Sequence, residues 1–361
     1  MIDPHVHLRD WGQAAAETLR HGLSVAHDAG LDAVFDMPNT DPPVIDSESA
    51  GRRLEQAERV IDRLGGGIRY GLFLGATPQP EQLEEMVELY HGERFGKNGR
   101  PVGIVGLKLY AGPSTGNLAA STREQQQRVY DTLAGLGYAG VLCVHCEKES
   151  AFLRRSDGSL DWDPLRPRTY AWARPPAAEL ESVRDQLAAA SRAGFGGTLH
   201  IAHVSVPGVV NLLEEARGEA TFRISCEVTP HHVLFNEEHL ERPEGLLLKS
   251  NPPLRPESMR AELYRQLRTG RIDFVASDHA PHTLEDKERG YASGIPGLGI
   301  FPTLRDRLAR DGAAERLLHR LFHAGAEEVY AVDVPEAGRW RSPRPDIHVA
   351  YATSPYRLDV M

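Results

Sequence analysis

Short apolar runs alternate with longer stretches in which apolar positions recur every three or four residues, and the alternation continues along the chain. The short β-branched runs predict strands at 2–8, 33–38, 68–75, 103–110, 140–146, 198–205, 222–229 and 272–278. The longer spacing, as in Leu180, Val183, Leu187 and Ala190, predicts helices near 15–29, 47–63, 80–91, 122–136, 177–194, 207–217, 256–269 and 313–328. Strand followed by helix, repeated about eight times, predicts an α/β fold of the closed parallel (β/α)8 barrel type. An open doubly wound sheet is the competing arrangement, but no glycine-rich phosphate-binding turn follows the first strand.

Two segments break the alternation. Residues 147–176 carry several prolines together with Trp162 and Trp172, and residues 279–303 are rich in glycine and proline. Both follow predicted strands, and long loops at that end of a barrel build or cover its site. The expected division is a barrel domain over 1–330 and a C-terminal extension over 331–361. Within the extension, 345–358 (PDIHVAYATSPYRL) has strand character and would pair outside the barrel or along its edge.

Composition narrows the class. The 361 residues are 41% hydrophobic and 25% charged, which is ordinary for a soluble globular chain. A net charge of −10, with both signs interspersed, argues against nucleic acid or an anionic membrane as partner. Three cysteines imply no disulfide framework and favour the cytosol. No signal peptide precedes the first strand, and no apolar run reaches membrane-spanning length.

Candidate chemistry sits where the strands run out. His5 and His7 end the first strand, Asn39 the second, Lys108 the fourth and His145 the fifth. His203 ends the sixth, His231 and His232 the seventh, and Asp278 the eighth. In a barrel these ends surround one mouth, so distant residues converge. Residues i and i+2 of a strand share a face, so His5 and His7 can grip one cation. Lys108 is the oddity, because an ammonium among metal-binding histidines is repelled and costly to desolvate. It is exposed, or paired with a carboxylate, or carbamylated by carbon dioxide into an anion long enough to bridge two metals. Asp278 has the chemistry to shuttle a proton between nucleophile and leaving group, or to be a ligand only. Arg9 shares the face of His5 and His7, and its planar fork suits a substrate carboxylate or a salt bridge to Asp10 or Asp41. Cys143 and Cys146 flank His145 as core residues.

Eight blocks, DPHVHLRD, DMPNT, GLKLYAG, VHCE, IAHVS, VTPHH, KSNPPLR and SDHAPHTLEDK, resemble in order those of the dihydroorotases of the amidohydrolase superfamily. The resemblance covers most of the chain. It implies two zinc ions bridged by carbamylated Lys108: His5, His7, Lys108 and Asp278 on one, and Lys108, His145 and His203 on the other. It also implies that Arg9, Asn39 and His282 bind substrate, with backbone near Asn251 and near Pro296 and Gly297, and that Asp278 is catalytic. The implied reaction interconverts dihydroorotate and carbamoyl aspartate in pyrimidine biosynthesis, in a cytoplasmic homodimer or in association with another enzyme of that route.

Hydantoinases, dihydropyrimidinases and allantoinases share the metal pattern but generally replace the arginine of the HLR block. A non-catalytic scaffold is the alternative from another class, and the complete ligand set speaks against it. The family's usual N-terminal segment, which joins C-terminal strands in a small β-sandwich, is expected to be absent, with 331–361 as its remnant. The opening RDWGQ stands where many relatives read RxPG. Ser114 and Thr115, after Lys108, would cover the substrate or form a plain turn.

Overall fold

The structure, a computed structural model, describes residues 1–113, 118–338 and 350–357. The predicted strands form at β1 (Ile2–Val6), β2 (Ala33–Asp36), β3 (Arg69–Gly75), β4 (Val102–Ala111), β5 (Val141–Cys146), β6 (Thr198–Ile201), β7 (Arg223–Val228) and β8 (Phe274–Val275). They lie in chain order in one sheet and every neighbouring pair is parallel. Their buried, β-branched runs suit a sheet covered on both faces.

The helices are α1 (Leu19–Asp28), α2 (Ser47–Arg63), α3 (Pro80–Gly92), α4 (Arg123–Gly135), α5 (Arg168–Ala173), α6 (Pro176–Ala193), α7 (Pro207–Arg217), α8 (Pro230–Leu234), α9 (Glu257–Arg268), α10 (Leu284–Glu288), α11 (Phe301–Arg310), α12 (Glu315–His319) and α13 (Gly325–Tyr330). Their starts follow local chemistry. Thr122 and Gln125 cap α4 reciprocally, and Pro207 opens α7 where no amide is needed.

β8 is short, and the ring closes against β1 by other means. Val6 bridges His279, the His7 amide donates to the His279 carbonyl at 2.7 Å, and the Ser277 amide donates to Asp3 Oδ1 at 2.9 Å. The sheet with its helices is a nearly closed (β/α)8 barrel.

One apolar layer lies between strands and helices, with Leu23, Leu54, Leu83, Val129 and Leu213 buried in it. Each such side chain contributes about 1.5–3 kcal/mol by leaving water. A second cluster fills the barrel itself, where Tyr330 meets Phe35 and Phe73 edge-on at 5.1 and 5.7 Å. That aromatic plug closes the lower end and leaves the carboxyl ends of the strands for chemistry.

Some elements differ from expectation. The helix expected over 313–328 is divided: a π-helical turn, Arg320–Ala324, separates α12 from α13. Gly325 lies so close to the Asp273 carbonyl that a Cβ would sit 2.3 Å from it, so the chain adjusts its winding where it presses on the barrel. Helix α11 begins inside the irregular 279–303 segment, at Phe301, and is not among the helices expected from the sequence. Of the strand-like tail, only 350–357 is described, and these residues include a 3-10 turn (Pro355–Arg357) and no strand. Tyr351 packs on His279 and bonds Glu17, and Thr353 donates to the His282 carbonyl, so this segment lies against the loop after β8. Ser114 and Thr115 fall outside the described residues, as do 345–349 and 358 of the tail. No described helix is long and apolar enough to cross a membrane.

Candidate metal centre and substrate cavity

A cavity of about 510 Å³ opens at the carboxyl ends of the strands. His5, His7, Arg9, Asn39, Lys108, His145, His203, Asn251, Asp278 and His282 all line it. Strand direction and parity bring them there from seven of the eight strand–loop units. Pro296 and Gly297 do not line it; the Gly297 amide is committed to His279 Nδ1 at 3.0 Å. His231 and His232 are buried but lie outside the lining.

His5, His7 and Asp278 offer ligand atoms that all lie within 4.8 Å of one another. Asp278 Oδ1 is 2.9 Å from His7 Nε2 and 3.3 Å from His5 Nε2. The other nitrogen of each ring is already assigned. His5 Nδ1 faces Glu227 Oε1 at 2.5 Å, and His7 Nδ1 faces Asn39 Oδ1 at 2.6 Å. Protons on the two Nδ1 atoms leave both Nε2 lone pairs pointed at a carboxylate. That arrangement is repulsive unless a proton or a cation lies between them.

A second pair stands opposite. His145 Nδ1 and His203 Nε2 are 3.0 Å apart, while His203 Nδ1 is buried with no hydrogen-bond partner among the described residues. Burial, reinforced by the neighbouring imidazole, pushes His203 well below the ordinary histidine range; burial also lowers His145 and His5. These rings are therefore neutral at neutral pH and able to donate lone pairs. Burial opposes ionisation of Asp278, but His5 and His7 overcome it and hold its pKa well below the carboxylate range.

Lys108 is buried at the centre. Its Nζ meets Cys143 Sγ at 3.5 Å and lies 5.3 Å from the centroid of the Tyr110 ring. Among the described residues no carboxylate pairs with it, so two of its three expected situations, exposure and ion pairing, are not found here.

Arg9 is also buried. Its Nε donates to the Pro281 carbonyl at 3.2 Å, and Nη2 lies 3.3 Å from His282 Nε2. No carboxylate pairs with it among the described residues. Asp10, the bland partner, instead accepts the Trp11 and Leu19 amides.

Three site residues have left-handed backbone without being glycine: Arg9 at φ 42°, His203 at 37° and Asp278 at 48°. Each costs about 1–2 kcal/mol, sustained by the packing around the site.

Sequence reasoning missed the residues behind these groups. Glu227 Oε1 takes His5 Nδ1 and the His203 amide, and Oε2 takes His200 Nε2 at 3.0 Å, tying three strands together. The signal was a carboxylate inside the buried run Arg223–Val228. Glu147 lies 3.3 Å from His145 Nε2 and is gripped by both Nε and Nη2 of Arg174. Arg174 also donates to the Tyr170 hydroxyl, which bonds Asn251 Oδ1 at 2.6 Å. The 147–176 excursion thus links a metal-candidate histidine to the NPP segment, and nothing in its residue pattern announced that.

No family model matches the chain. Among curated proteins, it is 33% identical over 298 residues to a dihydroorotase of Thermococcus kodakarensis, covering 82% of this chain and 59% of that protein. It is 30% identical over 365 residues to a dihydroorotase of Methanothermobacter thermautotrophicus, covering 95% and 75%. The chain spans about three fifths of the length of the first three curated relatives it matches. Among solved structures, an L-hydantoinase from Arthrobacter aurescens superposes with a TM-score of 0.78 at 23% identity, over 95% of this chain and 73% of that one. A dihydropyrimidinase from Brevibacillus agri gives 0.73 at 22% identity, over 91% and 70%. The latter two likenesses carry the barrel fold. By the extent and identity of the former, the chain belongs to the dihydroorotase family.

Proposed function

We propose that this chain is a zinc-dependent cyclic amidohydrolase that interconverts dihydroorotate and carbamoyl aspartate. One observation carries the substrate: Arg9 is a buried cation on the cavity wall, beside His282, with no carboxylate partner among the described residues. A buried guanidinium left in that state favours an anionic ligand, and its fork matches a carboxylate. His282 stands beside it, and Asn39 and Asn251 line the same cavity.

The donor set fits two divalent ions. His5, His7 and Asp278 would hold one, His145 and His203 the other, and a carbamate on Lys108 would bridge them. Bound there, zinc lowers the pKa of water toward 7 and polarises the ring carbonyl. Asp278 takes the proton of the attacking water as the new C–O bond forms. It returns that proton to the ring nitrogen as the amide C–N bond breaks, giving the open ureido acid. Neutral His5, His145 and His203 keep their lone pairs directed inward, and Glu227 and Glu147 hold two of those rings in place. Three buried free thiols, Cys143, Cys146 and Cys226, suit the reducing cytosol in which we place the enzyme. A homodimer, or a complex with another pyrimidine enzyme, is the assembly to look for by sedimentation.

The test is hydrolysis of dihydroorotate against dihydrouracil, with metal content measured in parallel. The expected result is preference for the carboxylated ring, and in Arg9→Ala a KM raised by roughly 30-fold or more at unchanged zinc content. Equal use of both rings, or an Arg9→Ala enzyme with unchanged KM, would overturn the dihydroorotate assignment in favour of an uncharged cyclic amide.

A further inference from the structure

Arg9, Asp10 and Trp11 have φ of 42°, 76° and 49°, three successive left-handed residues with no glycine among them. L residues resist that region, and a run of three relaxes unless it is held from outside. The holding groups converge on one side chain of α2. Gln56 Nε2 donates to Asp10 Oδ2 at 2.8 Å, and Gln56 Oε1 accepts from Trp11 Nε1 at 2.9 Å. Both ends of a single amide are thus spent on the two residues that follow Arg9. Asp10 passes the restraint on, since its carboxylate takes the Trp11 amide and the Leu19 amide, each at 2.8 Å. Arg52 and Arg53 lie over the indole with guanidinium carbons 4.7 and 5.3 Å from its centre, fixing the ring against the same helix. Gln56 itself has no place in the cavity lining.

We propose that Gln56 is a positioning residue for Arg9: by bridging Asp10 and Trp11 it holds the left-handed turn that aims the guanidinium at the substrate's carboxylate. The inference rests on the dihydroorotate reading of Arg9. It also accounts for the RDWG opening, because the indole N–H gives the bridge its second anchor. A fork displaced by a fraction of an ångström still binds, but loses its two-point match to a carboxylate. The effect therefore belongs in substrate affinity and not in the chemical step.

Two variants test it in the zinc-loaded enzyme. Gln56→Leu removes both hydrogen bonds, and Gln56→Glu keeps size and the acceptor but sets a second carboxylate against Asp10. Each is expected to raise KM for dihydroorotate on the order of tenfold, with kcat within about twofold and zinc content unchanged. In an Arg9→Ala background, Gln56→Leu should add nothing further to the loss in kcat/KM, because the two act through one contact. Unchanged KM in both single variants, a fall in kcat equal to the rise in KM, or additive losses in the double variant would each overturn the proposal. A wild-type enzyme that does not turn over dihydroorotate would instead remove the function reading on which it rests.

Discussion

Glu227 offers the sharpest test of the metal centre, because it touches no solvent and no substrate. Its carboxylate is buried, yet His5 and His200 hold its pKa down to about 2 against that burial, so it is charged at any working pH. Oε1 takes His5 Nδ1 and the His203 amide; Oε2 takes His200 Nε2. In Glu227→Gln the retained carbonyl can still accept from His5, and the new amide can meet His200 once that ring changes tautomer through Ser225. Geometry survives and the charge does not. Charge-assisted hydrogen bonds contribute about 1.5–3 kcal/mol, and supporting partners of a liganding histidine are worth about 10–100-fold in metal affinity. A hundredfold is about 2.7 kcal/mol, so the two scales agree. Glu227→Gln should therefore weaken zinc about tenfold, and Glu227→Ala, which leaves three buried donors unpaired, about a hundredfold. The assay is competition with a chromophoric chelator on stripped protein, with circular dichroism to confirm the fold. Zinc affinity at the wild-type level in both variants would show that His5 needs no anchor, and the proposed centre would lose its main structural argument.

Other expectations follow from the same contacts. Arg53→Met takes away the cation that donates to the buried Asp36 carboxylate, Nε at 3.0 Å and Nη2 at 2.6 Å, and leaves it the Tyr70 hydroxyl and the Leu8 amide; urea midpoints should record a loss of about 3–5 kcal/mol, partly recovered by adding Asp36→Asn. Gly112→Ala would put a Cβ 2.3 Å from the Glu147 carbonyl, so a loss of about 1–3 kcal/mol with reduced zinc content is expected, and unchanged stability would contradict the close approach. Burial beside Lys287 and Arg174 lowers Lys249 to about 6. The unfolded chain therefore binds the extra proton between about pH 6 and 10.5, and wild-type stability should rise with pH across that window. Lys249→Met should then gain on wild type as the pH falls from about 10.5 toward 6, and come closest to it at the alkaline end of the window. A gap that does not narrow with pH would refute that cause.

The barrel was legible because strand and helix periods are local properties, repeated unit after unit in the same order. The metal-candidate residues were legible because strand ends face one mouth, so position within a unit stands in for position in space. What lay hidden was of another kind. Gln56 reads as one polar residue on an outer helix, and only the left-handed turn of Arg9–Trp11 brings two partners onto its amide. Arg174 reaches Glu147 through the fold of an excursion that lacks periodicity. Helix α11 was within reach, since Phe301, Leu304 and Leu308 have helical spacing, but Pro302 and the preceding glycines argued for loop; the proline proves to occupy the first turn. The division of the helix near 313–328 depends on Gly325 meeting Asp273, a contact between residues far apart in sequence.

The joint between the last strand and the first is the thinnest in the ring, a two-residue strand on one side, closed by the Val6–His279 bridge and by an Asp3 carboxylate on the Ser277 amide. His5 and His7 emerge from one lip of that joint and Asp278 from the other. An ion gripped by all three would act as a rivet across the seam, so loading the centre should stiffen the wall as well as equip it for catalysis. Amide exchange along β1 and around Ser277 would slow most on zinc addition, while the stitching between β3 and β4 would scarcely notice.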